Sequence, residues 1–517
     1  MRHVRLRFRQ VHLAIACLVL GILSVVTWAQ EKKKPEPKDT ELPPKKRQAL
    51  VALHKELPAK SEYYSYTPGR LDSELGVELR KLGRAAANPV GDETFVRRVY
   101  LDLTGKPPAP KVVGEFVASD DPKKRKDLIN RLLDSDDFAR KWARYWRDVM
   151  LFNNTTDRRK YDARALEDWL FDQFKKDRGW DLIAAELVMA DGKKMEERRD
   201  NFLLAQDGSA TQMASETARI FMGINIQCAE CHDHPFDQWK REQFHQVAAF
   251  FAKDKYFMPD AHDPAQKTEM KPRFLLGQPL SPKANLKGDD KRIAVAEYLV
   301  YDKNNYWFAR SYVNRVWNEL FGDGFYKVDS LGPDGDVMYP AVVKALSAGF
   351  RAMDFKPKWL FRTIMNSQSY QRESQTPASS SDRFAALRPT RLHGDVVADS
   401  LEHVLGELKP RDRVSREFSF DPSIPQEDID GSIQQALMLM NNPPIQQRIS
   451  KIAGEMSKTK SDDEVIKQTY LRVLARQPTV AELSRSKNYF KKVGQRGEAE
   501  EDLIWTLVNS AEFTTKR

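Results

Sequence analysis

Cysteine is nearly absent from this sequence: Cys17, Cys228 and Cys231 are the only three in 517 residues. So few thiols exclude a domain stapled by several disulfides, and core burial has to supply the stability. Familiar catalytic signatures are missing too. The chain has no phosphate-binding Gly-x-x-x-x-Gly-Lys loop, Gly-x-Ser-x-Gly elbow, His-Glu-x-x-His helix or dinucleotide Gly-x-Gly-x-x-Gly run, which removes the reaction classes those motifs announce. Strand signals are short and scattered. Lys and Arg (84) outnumber Asp and Glu (74), giving a net charge of +10. No lysine-rich helix or aromatic platform gathers that charge, so it reads as a solvated surface and no nucleic-acid partner is expected.

One stretch carries chemistry. Cys228-Ala229-Glu230-Cys231-His232 is followed directly by Asp233-His234-Pro235-Phe236-Asp237. Two thiols three residues apart can each form a thioether to a haem vinyl group, while the histidine after them ligates the iron from one face. Cys228, Cys231 and His232 are therefore the expected haem c anchors and proximal iron ligand. Asp233 is the candidate to orient the imidazole from behind, and His234 is a neighbour or propionate partner. The same residues allow a zinc site or a small disulfide instead. A third reading is hydrolysis at a metal held by Asp233, His234 and Asp237. On the far side of a haem, His245 and His262 are the candidate distal ligands, with Met258 and Met270 behind them. Phe244, Val247, Ala248 and Phe251 form a helical stripe that either covers the ring or joins the core. The expectation is a weakly held or absent distal ligand.

The start of the chain indicates a compartment. Arg2, Arg5, Arg7 and Arg9 precede a nearly continuous apolar run from Val11 to Val26, and Thr27-Trp28-Ala29 offers small residues for cleavage. This is the pattern of a signal peptide over 1–29, and it places the mature protein in the periplasm, cell envelope or medium. Haem c is attached outside the cytoplasmic membrane, so export and motif agree. The membrane is approached only through this N-terminus. Residues 30–48 contain Lys-Lys-Lys-Pro-Glu-Pro and Pro-Pro-Lys-Lys-Arg runs with almost no apolar side chains, which predicts a disordered spacer.

Beyond the spacer the periodicity is helical. Trp142, Tyr145, Trp146, Val149 and Met150 fall on one helical face, as do Leu166, Trp169, Leu170 and Phe174, and Phe308, Tyr312, Val316 and Leu320 ahead of Gly322. An internal repeat links Asp127 to Phe138, Trp359 to Tyr370 and Asp502 to Phe513: an apolar helical face, an Asp or Asn, a serine suited to cap the next turn, and an aromatic. Ahead of the outer two copies, the segments beginning at Tyr100 and Tyr470 each read as a helix, a turn and a new helix starting near a proline.

Three stretches resemble the planctomycete cytochrome-c-like secreted domain called PSCyt. They are Phe95-Val-Arg-Arg-Val-Tyr-Leu-Asp-Leu-Thr-Gly-Lys-Pro-Pro-Ala-Pro, Trp142-Ala-Arg-Tyr-Trp and Ile226-Gln-Cys-Ala-Glu-Cys-His-Asp-His-Pro-Phe-Asp. Ser311-Tyr-Val-Asn-Arg-Val-Trp-Asn-Glu-Leu-Phe-Gly, Lys358-Trp-Leu-Phe-Arg-Thr-Ile-Met-Asn-Ser-Gln-Ser-Tyr and Ala436-Leu-Met-Leu-Met-Asn-Asn-Pro resemble the PSD domain that follows it in that family. The sequence departs from the PSD pattern at Asp329-Ser-Leu-Gly and Val337-Met-Tyr-Pro. The resemblance implies a pair of domains of unknown function and a haem inferred from the same Cys-x-x-Cys-His. The fold expected is mostly α and multi-helical: a PSCyt-like domain over 71–256, a linker loop over 257–289 and a PSD-like domain over 290–517. The expected function is redox chemistry at a single haem, with a partner that no motif names. The alternative is a non-enzymatic envelope binding or scaffold protein.

Overall fold

A computed structural model describes residues 42–55, 65–152, 156–190, 192–261, 263, 265–275, 286–301, 305–332, 336–379, 382–409, 411–456 and 461–517. The signal segment 1–29, the spacer up to residue 41, and His262 lie outside the described residues. Within them the protein is mostly α, as the periodicities require, with two small antiparallel sheets.

The end of the expected spacer is structured. Helix α1 (Pro44–Lys55) begins on a proline whose fixed φ suits the first helical position. Leu42 is buried against Ala185, Met189, Ile293 and Ala296, and Lys46 reaches Asp289 at 3.2 Å. A single apolar anchor among charges looks like spacer, because only tertiary contact gives it a partner.

The elements that position the sites are α2 (Asp92–Thr104), α3 (Asp136–Leu151), α4 (Ala163–Lys175) and α5 (Arg241–Phe251), then strands β1 (Tyr256–Pro259) and β2 (Lys267–Met270). Helices α6 (Asp289–Ala296) and α7 (Trp307–Phe321), strand β3 (Thr390–Arg391), helices α8 (Gly394–Leu405) and α9 (Arg496–Val508), and strand β4 (Thr515–Lys516) complete the set. The aromatic stripes are packing. Trp142 and Trp146 on α3 are fully buried, and Trp146 stacks on Tyr312 of α7 at 5.2 Å. Gly322 ends α7 in the left-handed region, at φ +81°.

All three repeat copies make the same corner. The hydroxyls of Ser135, Ser367 and Ser510 donate to the carbonyls of Leu132, Ile364 and Leu507, each at 2.6 Å. Each serine oxygen then accepts from the amide of the closing aromatic, Phe138, Tyr370 or Phe513. The repeat is therefore an architectural device in which a serine ends one helix and orients the turn that carries the closing aromatic.

Besides the small cluster around Leu42, two large hydrophobic cores form among the described residues. The larger core takes residues from Tyr66 to Leu387, with Leu471 and Ala475. The smaller runs from Leu392 to Phe513 and includes Leu101. The division therefore falls at β3, and the first part of the expected C-terminal domain belongs to the larger core. The described part of 257–289 is no free linker. β1 and β2 pair with Tyr256 opposite Met270, and Phe274 and Leu275 are buried in the larger core. Prolines in this stretch suggest a loop; they accompany a hairpin and its exit.

The seam between the cores is charged. β3 pairs with β4, which carries Lys516 inward. Its ammonium donates to Asp102 Oδ1 at 2.8 Å and to the carbonyl of Glu319 at 2.5 Å. Tyr370 donates to Asp102 Oδ2 at 2.6 Å. Arg98 donates to the carbonyls of Tyr370, Arg372 and Arg517, and Arg97 to those of Glu512 and Thr515.

Candidate functional site

The approach to the Cys-x-x-Cys-His turn is fixed by Gly223, at φ +67°, where a Cβ would come within 2.9 Å of Leu331. Ile224 and Ile226 then alternate inward with Asn225 outward. Ile224 bridges Ser330, the Leu331 amide donates to the Gly223 carbonyl at 2.8 Å, and the Asn225 amide donates to the Asp329 carbonyl at 3.1 Å. The motif therefore leans on the loop 327–332.

Residues Gln227–Glu230 form a 3-10 turn. Cys228 lies within that turn and Cys231 directly follows it. Both are free and exposed, while Ala229 between them is buried. His232 is exposed, and its Nδ1 lies 2.7 Å from the Asp233 carbonyl. A carbonyl only accepts, so Nδ1 carries the proton and the Nε2 lone pair is left for a metal.

The supporting residues differ from expectation. Asp233 meets the His232 ring through its backbone carbonyl. Its carboxylate instead accepts from the Arg241 amide at 3.0 Å and from Lys240 Nζ at 3.0 Å, and those two bonds hold its pKa below the usual range. It thus satisfies an otherwise orphaned donor at the start of α5. His234 closes the loop locally: its amide donates to the Trp239 carbonyl at 2.8 Å, and its Nδ1 accepts from the Phe236 amide at 3.2 Å. Asp237 is drawn toward Gly332, where a Cβ would lie 1.9 Å from its Oδ2. These three side chains therefore face different partners. Among the described residues no group of three or more His, Cys, Asp or Glu side chains is arranged to hold a metal ion.

His245, a candidate distal ligand, has both ring nitrogens engaged in the structure. It is 2% exposed. Tyr256 lies 2.8 Å from Nδ1 and the Glu230 carbonyl 3.0 Å from Nε2. The carbonyl fixes the proton on Nε2, so Nδ1 accepts the tyrosine hydroxyl. Burial pushes the His245 pKa down, in keeping with a neutral ring that clamps the motif from beneath. Phe244, Val247, Ala248 and Phe251 all lie in the larger core, so the stripe does not cover a ring. Met270 is buried and Met258 is half-buried. Phe236, two residues beyond His234, is 91% exposed.

The donor set fits covalent haem c in kind: two free, exposed thiols and an imidazole with an available Nε2. An apolar wall over the opposite face is not supplied by the expected stripe.

A second cluster went unread in the sequence. Lys141, Arg144, Tyr145 and Asp148 sit at i, i+3, i+4 and i+7 of α3 and face a small, partly open cleft. The opposite wall is His393 with Asp395, Val396 and Asp399 of α8. Gly105, at φ +69°, forms part of the lining, and a Cβ there would sit 3.3 Å from Lys141 and 3.5 Å from Val396. His393 Nε2 lies 3.0 Å from Glu319 Oε2, and the ring stacks on Phe420 at 4.3 Å. Burial would raise the Glu319 pKa, but His393, Lys141 and Lys516 hold it below the usual range. Burial pushes Lys141 down to about 8. Burial, with Asp395 adding to it, pushes Asp148 up, whereas Arg147 and Ser415 overcome burial and hold Asp395 down. No linear motif could reveal this cluster, since its halves lie some 250 residues apart, as the Arg144–Asp399 bond records (separation 255).

Residues 70–256 match the family model PSCyt2, described as a protein of unknown function (DUF1549), and residues 291–430 match PSD1, described as a protein of unknown function (DUF1553). The chain belongs to this two-domain family. No curated protein matches it, and no solved structure does. The Cys-x-x-Cys-His turn lies in the PSCyt2 region. The cleft is shared: α3 comes from the PSCyt2 region and α8 from the PSD1 region. Among the described residues no helix is long and apolar enough to cross a membrane.

Proposed function

We propose that this PSCyt2–PSD1 protein is an exported redox protein carrying one haem c on Cys228, Cys231 and His232, and that it works in the periplasm or cell envelope. The observation that supports it is the state of the three donors: two unpaired, exposed thiols and a histidine whose Nδ1–H is spent on a carbonyl. Bound haem supplies one-electron exchange at its iron. The chain's own part is to hold the anchors. His232 Nδ1 donates to the Asp233 carbonyl, which fixes the ring's tautomer. Asp233 ties the turn to the start of α5, and His245 holds the Glu230 carbonyl. With His245 engaged on both nitrogens, the distal position has no ligand from α5, which favours small-molecule chemistry over simple electron transfer.

The test is a pyridine haemochrome spectrum of protein made with the c-type maturation machinery. Covalent haem is expected, weakened or lost in Cys228→Ala and Cys231→Ala and unchanged in Cys17→Ala. A ferrous spectrum that shifts on adding carbon monoxide is expected from an open distal face. Protein without a Soret band that holds stoichiometric zinc, or a Cys228–Cys231 disulfide, would replace this reading with the envelope scaffold.

A further inference from the structure

Phe236 is the most exposed large apolar side chain among the described residues, at 91%, and it stands four positions after His232. A phenylalanine left in water forgoes most of the free energy that its burial supplies, so its bareness needs a cause. The surrounding backbone provides one. Pro235 fixes φ just ahead of it, its amide donates to His234 Nδ1 at 3.2 Å, and the His234 amide donates to the Trp239 carbonyl at 2.8 Å. Trp239 is buried in the larger core. Asp237, which accepts the Gln238 amide at 2.7 Å, is drawn to Gly332. With both flanks tied down, the ring is held away from the core instead of folding onto it. An aromatic side chain on a pinned loop has little conformational freedom left to lose, and that preorganisation favours a binding contact.

The neighbours of this ring indicate what covers it. Cys228 and Cys231 are exposed and unpaired, and His232 keeps Nε2 for a metal. Haem held on these three groups brings two broad apolar faces to the turn. Helix α5 offers them nothing, because Phe244, Val247, Ala248 and Phe251 are spent in the larger core and His245 is bound at both nitrogens. Phe236 remains uncommitted beside the anchors. Four residues span at most ~14 Å even when straight, and the bends over 235–238 shorten that reach.

We propose that Phe236 is a haem-contact residue whose ring packs against the macrocycle once haem is attached at Cys228 and Cys231. This rests on the haem reading of the same turn and adds the apolar cover that α5 does not give. A phenyl ring carries no lone pair for iron, so the contact shields the macrocycle and leaves the sixth position open to a small molecule.

The full chain carrying 4-fluorophenylalanine at position 236 tests this by fluorine NMR, haem-free and haem-loaded, the latter in the diamagnetic ferrous carbon monoxide form. In haem-free protein the signal should show the full solvent isotope shift of an exposed ring. In loaded protein it should be displaced by the macrocycle's ring current and lose about half of that isotope shift, since stacking covers one face of the ring. Phe236→Ala supplies a second readout. It should leave the melting temperature of haem-free protein unchanged, because the ring faces solvent, and lower that of loaded protein relative to the loaded parent. Ile433→Ala, which trims another bare apolar side chain, should change neither. A fluorine signal that is the same in both forms, or loaded Phe236→Ala that melts with the loaded parent, would overturn this proposal while leaving the haem in place. Protein that takes up no haem overturns the redox reading and this one together, and the missing Soret band tells the two failures apart.

Discussion

The Cys-x-x-Cys-His turn keeps its reactive groups in solvent and is clamped from below by one buried histidine, whereas the seam between the cores buries lysines, arginines and carboxylates in a mutual lattice. At the turn, chemistry is local: every group comes from the segment 226–245, and removing a thiol disturbs little around it. At the seam, each charge depends on partners hundreds of residues away, and removing one strands the rest. Exposed reactive groups are cheap to change and buried paired ones are not.

Four variants break or sharpen that contrast. The largest effect is expected for Lys516→Met, which removes the cation from Asp102 and leaves a buried carboxylate with Tyr370 alone. A loss of about 3 to 5 kcal/mol in urea unfolding is expected; a loss below about 1 kcal/mol would mean that the seam is not load-sharing in the way its geometry implies. Next is His245→Ala, which strips the Tyr256 hydroxyl and the Glu230 carbonyl of their partner. About 1 to 3 kcal/mol should be lost, and Cys228 and Cys231 should change their rate of reaction with a thiol reagent; an unchanged rate would show that the clamp does not order the motif.

Glu500 on α9 probes burial without pairing, as both its carboxylate oxygens are buried and lack partners. Burial pushes its pKa up to about 7. A raised carboxyl pKa favours the folded state at low pH, so this contribution is present below the ordinary carboxyl value and disappears as pH rises toward about 7. Glu500→Gln should therefore gain about 1 kcal/mol at pH 8, a figure reduced for screening by Arg496 and Arg472, and flatten stability between about pH 4.5 and 7. Identical pH profiles for parent and variant would count against it. The smallest effect belongs to the turn: Cys228→Ser with Cys231→Ser in haem-free protein should shift stability by less than about 0.5 kcal/mol, read from the urea midpoint.

The same contrast explains what the sequence made legible. Stripes such as Trp142, Tyr145 and Trp146 announce α3 because a helix repeats its buried face at short range, and the three serine corners announce themselves because cap and aromatic are three residues apart. Cys228, Cys231 and His232 are equally local. His245 reads as a possible ligand, but its commitment to Tyr256 and Glu230 depends on how α5 and β1 pack. Leu42 looked like spacer because its partners at 185, 189 and 293 are remote. The cleft was invisible for the same reason: Lys141, Arg144 and Asp148 read as the solvated side of α3 until His393 and Asp399 stand opposite them.

Lys516 also sets an order of events during synthesis. Asp102 and Lys516 are 414 residues apart, so a ribosome adding roughly 5 to 20 residues per second delivers the carboxylate some 20 to 80 s before its cation. Through that interval Arg97 and Arg98 also wait for the carbonyls of residues 512 to 517. The emerging larger core can gather its tryptophans early, but this edge has to stay wet until β4 arrives. A chain that ends before Lys516 leaves the Asp102 carboxylate without its bonded cation at the join of its two halves, and it is expected to open more readily than the full chain.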